Sequence, residues 1–138
     1  MHVPDPWTCT DADINARAGR RILLLEEDDY LASLLDMLLQ REGFEIRALN
    51  NPEGARSYLQ QASPPDLVFI NSGWISDKGI EVLGDYARRI EWQRVPMIML
   101  LGFYDADKIN RALELGISDY LLQPFEPGEL IDIIHRYI

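Results

Sequence analysis

The sequence predicts an α/β fold in which a doubly wound, five-stranded parallel sheet is covered by helices on both faces. Short apolar segments alternate five times with segments whose apolar residues recur at helical spacing. Strict alternation of this kind is typical of parallel strands joined by right-handed helical crossovers. The strand segments are nearly continuous apolar runs, which indicates that the strands are buried on both faces.

Turn and cap residues mark the bounds of the predicted elements. Asp28 or Asp29 is predicted to cap the first helix, and Gly43 to end it. Pro52 is predicted to open the second helix, and Gly116 to end the fourth. The predicted strands are residues 22–25, 44–49, 67–70, 97–101 and 120–122, and the predicted helices are residues 31–39, 52–61, 79–91, 105–115 and 128–138.

The length and composition favour a single globular domain. A chain of 138 residues, of which 47% are hydrophobic, can bury one core of ordinary size. Residues 1–20 have only weak periodicity and are predicted to be a flexible N-terminal extension, whereas residues 21–138 are predicted to be the folded domain. Trp7 is the one residue of the extension that is expected to dock on the domain.

The charge and the cysteine content exclude several classes of function. A formal net charge of -10 leaves no basic face for nucleic acid or an anionic membrane, so neither is an expected partner of this domain. Cys9 is the only cysteine, which excludes an intramolecular disulfide and favours a reducing cytoplasm. The longest apolar stretch, residues 95–104, is about half as long as a membrane span.

The predicted topology indicates where a functional site would lie. In open parallel sheets, ligands bind outside the carboxyl ends of the strands, where the strand order reverses. We therefore expect the residues that end the predicted strands to lie close together. They are Glu26 with Glu27, Asn71, Leu101 and Gln123.

Three stretches carry a resemblance to a known family. They are residues 22–28 followed by Leu31, Leu34 and Leu35, residues 65–70 followed by Gly79, and residues 116–125. Over residues 21–138 the chain resembles a receiver domain, the phosphoacceptor module of two-component response regulators, which has a flavodoxin-like (βα)5 fold. The third stretch is the most specific, because Pro124 resembles the proline of the family's Lys-Pro turn, usually a cis peptide.

The resemblance implies a pocket with an Asp nucleophile, two acidic Mg²⁺ ligands, a Thr or Ser, and a Lys. Those positions hold Asn71, the Glu26 and Glu27 pair, Leu101 and Gln123. The neutral Asn71 amide is not a phosphate acceptor, and Leu101 has no hydrogen-bond donor. Gln123 lacks the cation that would balance a phosphoryl group. We interpret the pocket as degenerate.

The replacements conserve the formal charge of the pocket while removing its chemistry. Two glutamates and two neutral amides carry the same charge as three carboxylates and one lysine, which indicates a coordinated change. Glu27 is one methylene longer than aspartate, and Mg²⁺ requires near-ideal octahedral geometry. No metal or other cofactor is predicted, although weak Mg²⁺ binding by Glu26 and Glu27 is left open.

The resemblance also implies a surface for protein partners. In receivers the last two helices and the strand between them form the usual partner and dimer face. Tyr120 stands where receivers keep an aromatic switch, and Arg111 and Glu129 stand where the winged-helix transcription-factor branch pairs charges across a dimer. Ile133 replaces a basic residue of that branch, which predicts a more apolar partner contact or homodimer.

Trp74 and Ile75 replace the Met-Pro pair that commonly follows the acceptor. We expect exposed apolar bulk there, either as a lid over the pocket or, as the alternative, as a partner contact.

The leading functional hypothesis is a pseudo-receiver that is not an enzyme and that regulates protein partners without being phosphorylated. One alternative is a receiver that still responds to phosphate or Mg²⁺ within a longer response regulator, such as a transcription factor. Another is a flavodoxin-like domain that binds a small molecule, although no Gly-rich phosphate loop follows the first strand.

Overall fold

The computed structural model describes residues 19–89 and 92–138. The predictions for Trp7 and Cys9, and most of the predicted extension, lie outside the described residues. In the part that is described, no helix combines the length and the apolar composition needed to cross a membrane.

Five strands and five helices alternate along the described residues, which confirms the predicted fold class. Their bounds differ from the predicted ones by only a few residues, with the largest difference at the end of the third helix. A short 3-10 helix, Ser72–Trp74, follows the third strand. The elements are β1 Arg21–Leu25, α1 Asp29–Arg41, β2 Glu45–Leu49, α2 Pro52–Gln61, β3 Leu67–Asn71, α3 Asp77–Ala87, β4 Met97–Leu101, α4 Ala106–Glu114, β5 Asp119–Leu122 and α5 Pro127–Tyr137.

The five strands form one parallel sheet in the order β2-β1-β3-β4-β5. The order reverses at β1, because the chain adds β2 on one side of it and β3 on the other. The register pairs Leu25 with Ile70 and Asn71 with Leu100. The carboxyl ends of β1 and β3 therefore lie side by side at the point of reversal, which is where a crevice forms in such sheets.

Two core clusters cover the two faces of the sheet. Successive residues of β1 alternate between them, because side chains along a strand point to opposite faces. Leu23 and Leu25 pack with residues of α2, α3 and α4, whereas Ile22 and Leu24 pack with residues of α1 and α5. Both faces of the central strands are thus closed to solvent, and their edge at the carboxyl ends is left for polar groups.

Local hydrogen bonds fix the ends of the helices. The Asp28 carboxylate accepts hydrogen bonds from the N–H groups of Tyr30 at 2.9 Å and Leu31 at 3.3 Å, so Asp28, and not Asp29, caps α1. Gly43 and Gly116 follow α1 and α4 with φ values of 90° and 97°, which glycine adopts without steric cost. Their predicted roles are confirmed.

The expected exposure of Trp74 and Ile75 is wrong. Trp74 is 1% exposed and Ile75 is 5% exposed, and both belong to the core cluster that contains Val82 and Leu83 of α3. The 3-10 turn after β3 directs these side chains under α3, where their apolar surface is removed from water. They are core residues and do not present an exposed lid.

The expected partner contact through Ile133 is also wrong. Ile133 is 4% exposed and packs with Leu130 and Ile134 in the cluster beneath α1 and α5. Residues three and four apart on a helix share one face, and this face of α5 lies against the sheet. A substitution at Ile133 would therefore disturb the core before it disturbed any partner surface.

Gly79 offers a test of the packing between α3 and the turn after β3. A Cβ atom at Gly79 would lie 1.7 Å from the carbonyl oxygen of Trp74, so the backbones could not keep their present separation. We predict that Gly79→Ala destabilises the protein by at least about 1–3 kcal/mol, as overpacking does in other cores. The free energy of unfolding in urea measures the effect.

Gly84 provides a matched control in the same helix. A Cβ atom there would meet no other atom within 4 Å, so Gly84→Ala should stabilise the protein by up to about 1 kcal/mol through helix propensity. Equal effects of the two substitutions would contradict the close approach of α3 to Trp74.

Candidate functional site

The candidate site lies where β1 and β3 end. Glu26 directly follows β1, and Asn71 is the last residue of β3. The side-chain nitrogen of Asn71 donates a hydrogen bond to Glu26 Oε1 at 2.8 Å. The side-chain oxygen of Asn71 accepts one from the N–H of Gly73 at 2.8 Å. The Asn71 amide is therefore held on both sides, by a carboxylate and by the turn that follows β3.

Glu26 is a buried carboxyl group, with 2% of its surface exposed. Its Oε2 accepts a hydrogen bond from the N–H of Asp28 at 3.2 Å, so both carboxyl oxygens have partners. Burial raises the pKa of Glu26 above its ordinary value, and the nearby charge of Glu27 raises it further. The hydrogen bonds from Asn71 and from the backbone of Asp28 and Glu27 lower this pKa and offset part of the increase.

Glu27 reaches the same turn from the solvent side. Its side chain is exposed, and a Cβ atom added to Gly73 would lie only 2.4 Å from Glu27 Oε1. The absence of a side chain at Gly73 thus leaves room for the Glu27 carboxylate. Among the side chains that the structure describes, no Lys or Arg forms an ion pair with Glu26 or Glu27. The described side chains thus give the site an acidic character.

Leu101 and Gln123 adjoin the site through their backbones. The N–H of Gln123 donates to the carbonyl oxygen of Leu101 at 2.7 Å, and the peptide bond between Gln123 and Pro124 is cis. The Leu101 side chain is 1% exposed and belongs to the cluster on the α2, α3 and α4 side of the sheet. The Gln123 side chain is half-buried and lines a groove beside α1. The structure therefore brings Glu26, Glu27 and Asn71 together, while Leu101 packs into the core.

The residues expected on a partner face lie on three neighbouring elements. Arg111 on α4 and Glu129 on α5 are exposed, and Tyr120 on β5 is half-buried against the cluster that contains Leu101. Glu129 also has a local role, because its Oε1 accepts a hydrogen bond from the N–H of Glu126 at 3.3 Å in a capping box. The Glu129 carboxylate therefore stabilises the first turn of α5.

Two features of the site were missed from the sequence. The first is the burial of Glu26, since an acid after a strand is as easily solvated as buried. The second is the part played by Gly73, which donates its N–H to Asn71 and makes room for Glu27. A glycine two residues after a strand end was a signal for a close backbone approach.

The side chains at the site were considered as possible ligands of a metal ion. Within residues 19–89 and 92–138, no group of three or more His, Cys, Asp or Glu side chains is placed to hold a metal ion. The Glu26 carboxylate and the Asn71 amide already bind each other, and each also accepts a hydrogen bond from a backbone N–H group.

Comparison with known proteins identifies the family. A family profile described as "Response regulator receiver domain" matches residues 22–135. The phosphate regulon transcriptional regulatory protein PhoB of Rhizobium meliloti is 32% identical over 111 residues, which are 80% of this chain and 48% of that protein. The transcriptional regulatory protein PdtaR of Mycobacterium tuberculosis is 30% identical over 125 residues, 91% of this chain and 58% of that protein. The chain spans about half the length of these curated relatives.

Solved structures share the fold. The chemotaxis response regulator CheY4 of Vibrio cholerae superposes with a TM-score of 0.77 at 18% identity, over 88% of this chain and all of that one. The receiver domain of the sensor histidine kinase PA1611 of Pseudomonas aeruginosa has a TM-score of 0.71 at 21% identity, over 87% of this chain and 98% of its own; its active-site cleft coordinates a magnesium ion. This chain belongs to the response regulator receiver domain family.

Proposed function

We propose that this chain is a pseudo-receiver, a non-enzymatic signalling module that regulates partner proteins by direct contact and without phosphorylation of its own. The proposal rests on the hydrogen bonds that the Asn71 side chain makes at the end of β3. Its nitrogen is bonded to Glu26 and its oxygen to Gly73, and neither atom is a nucleophile toward phosphorus.

The alternative of a phosphate-responsive receiver would require another acceptor in the same pocket. Glu26 is a poor candidate, because it is buried and both of its oxygens already accept hydrogen bonds. Glu27 is exposed but lies beside Glu26, and Gln123 supplies no positive charge. Among the described side chains, an approaching phosphate group would meet these two acids without an ion-paired cation, so the charge of the transition state would not be stabilised.

The pocket also does not fit Mg²⁺. Magnesium needs near-octahedral coordination by oxygen atoms, and it binds through ionised carboxylates. Each oxygen of Glu26 already accepts a hydrogen bond from an N–H group that would compete with a metal ion, and burial favours the neutral form of this acid. The Asn71 oxygen faces the N–H of Gly73. We assign no step of the function to a metal ion.

Regulation by contact requires a surface, and we propose that α4, β5 and α5 supply one. Tyr120, Arg111 and Glu129 lie on this surface, and a homodimer through it is an alternative to a different partner. We place the module in the cytoplasm and expect no direct contact with nucleic acid, in keeping with the net charge of -10. A relative of which the chain covers 48% is a transcriptional regulatory protein, in keeping with a role in regulation.

The first prediction concerns phosphorylation itself. When the protein is incubated with a small acyl phosphate and Mg²⁺, intact-mass spectrometry should show no stable phosphoryl adduct, because neither the Asn71 amide nor the neutral Gln123 supplies the chemistry of phosphoryl transfer. The combined variant Asn71→Asp, Leu101→Thr and Gln123→Lys restores the three side-chain types and should gain an adduct. Circular dichroism verifies that this variant is folded.

A stable phosphoryl adduct on the unmodified chain, mapped to any residue of the pocket, would contradict the proposal. The variant serves as the positive control, since it shows that the phosphodonor and the detection work on this fold.

The second prediction concerns the pH dependence of stability through Glu26. A carboxyl group whose pKa is higher in the folded than in the unfolded state stabilises the fold at low pH, and this contribution is lost as pH rises through the folded pKa. Glu26→Gln removes the titration. The stability of the variant relative to the original chain should therefore increase as pH rises above about 4.3, the usual glutamate pKa, and then level off.

Urea unfolding at closely spaced pH values between about 4 and 8 measures this difference. If the two stability curves run parallel over the whole range, Glu26 does not titrate differently in the folded state, and its burial has been misjudged.

A further inference from the structure

A small apolar cavity lies between α3 and α4, near the amino ends of β3 and β4. Its volume is about 150 Å³, and we call it the α3–α4 cavity. Val68 of β3 and Met97 of β4, which pair in the sheet, form its inner wall. The cavity is therefore at the opposite end of the sheet from Asn71, the last residue of β3. The apolar lining residues are Val68, Leu83, Trp92, Val95, Met97 and Leu115.

The lining of the cavity is uncharged. The other lining residues that the structure describes are Gln93, whose side chain is exposed, and Gly116. None of the described lining residues carries a charge. A charged ligand would lose its hydration there without meeting a counter-charge, so the cavity favours uncharged molecules.

The cavity is closed on the inside and reachable from solvent. Val68 and Leu83 are buried, whereas Val95, Met97 and Leu115 are only half-buried and pack against the same core cluster. A molecule can therefore reach the cavity beside the half-buried side chains. Once inside, it loses contact with water over most of its surface, as ligands in concave apolar sites do.

Hydrogen bonds of the backbone hold the walls in place. The N–H of Val95 donates to the carbonyl oxygen of Trp92 at 3.1 Å, and the N–H of Ser118 donates to the carbonyl oxygen of Met97 at 2.8 Å. The guanidinium carbon of Arg89 lies 5.8 Å from the centroid of the Trp92 ring, and this cation–π contact restrains the ring. The cavity is thus formed before a ligand arrives, which lowers the entropic cost of binding.

The volume and the side-chain types indicate the size and the class of the ligand. In another protein, an engineered apolar cavity of about 150 Å³ stays dry and binds benzene. Trp92 offers an aromatic ring and Met97 a polarisable sulfur, and both groups make favourable contacts with aromatic rings. We propose that the α3–α4 cavity binds a small uncharged molecule with a single aromatic ring. The inference goes beyond the proposed function, because it needs no property of the site at Asn71.

An aromatic side chain of a partner protein would fit the same volume, but the surroundings of the cavity are polar. Gln93, Arg94 and Ser118, which line it or lie beside lining residues in the chain, are exposed. Among the described residues, none of the large apolar side chains that stand exposed lines the cavity. Side chains that anchor a protein complex lie at the centre of a wider apolar contact. A free small molecule is therefore the favoured occupant.

Methyl NMR of the full chain tests the proposal with benzene as the probe. When the methionine methyl groups are isotope-labelled, Met97 reports on the cavity, and Met37, which is 55% exposed on α1, is an internal control. We expect a saturable shift of the Met97 methyl signal with a Kd of about 1 mM or tighter, and no saturable shift of the Met37 signal. Benzylammonium, which has the same ring with a positive charge, should cause no saturable shift. N-acetylphenylalanine amide, which has the same ring on a peptide backbone, should bind more weakly than benzene.

Matched variants locate the binding by a second measurement. Benzene at about ten times its Kd should raise the Tm of the original chain by about 3–8 °C, because a ligand that binds only the folded state stabilises it. Val95→Phe places a ring in the cavity and should abolish this increase. Ile131→Phe enlarges a half-buried residue of α5, on the other face of the sheet, and should leave the increase unchanged.

Several outcomes would overturn the proposal. They are a Met97 signal that does not shift, a Met97 shift no more saturable than that of Met37, and equal binding of benzylammonium, which would mean attraction by net charge. Equal or tighter binding of N-acetylphenylalanine amide would assign the cavity to a side chain of a partner. If Val95→Phe does not fold, the Met97 titration of the original chain decides alone. None of these results involves a phosphoryl adduct, so the failure of this inference is distinct from the failure of the proposed function.

Discussion

Burial of β1 and β3 on both faces is the constraint on which the rest of the structure depends. Residues 22–25 of β1 and 67–70 of β3 are all apolar, and their side chains alternate between two core clusters. At the carboxyl ends, where the strand order reverses, polar residues follow these apolar stretches. Glu26 and Asn71 end the two strands and become neighbours, and Glu26 is only 2% exposed. A buried carboxyl group needs hydrogen-bond partners, and the Asn71 amide supplies one.

This constraint connects the residues of the pocket to one another. An aspartate at position 71 would place a second carboxylate about as close to Glu26 as the amide is now, and one of the two acids would resist ionisation unless a cation stood nearby. An asparagine at position 71 carries no charge, so no cation is needed beside Glu26. A neutral Gln123 at the position of the family's lysine then leaves no pair of carboxylates without a counter-charge. Leu101 then packs into the core instead of facing a phosphoryl group.

Apolar runs and cap residues were sufficient to predict the fold, because buried parallel strands leave a strong local pattern. The sequence pattern was less informative about whether an individual side chain is buried or exposed. Trp74 follows a strand end in a 3-10 turn without periodicity, and its burial depends on α3 packing over it at Gly79. Ile133 was interpreted through a family position, although its spacing from Leu130 and Ile134 indicated the core. The leucine stripe of α1 predicts one buried helix face, and only the structure separates Leu35, which is buried, from Leu34, which is 40% exposed.

We propose that the pocket of this receiver no longer accepts a phosphoryl group, and a titration followed by amide NMR tests this proposal without any chemical step. The unmodified, isotope-labelled chain would be titrated with Mg²⁺ and beryllofluoride, a non-reactive analogue of the phosphoryl group. We expect no saturable shift of the backbone signals of Asn71, Gly73 or Gln123, nor of the Asn71 side-chain amide. A saturable change at these signals that propagates to Tyr120 would contradict it, because it would show a pocket that still binds the phosphoryl geometry and transmits the event.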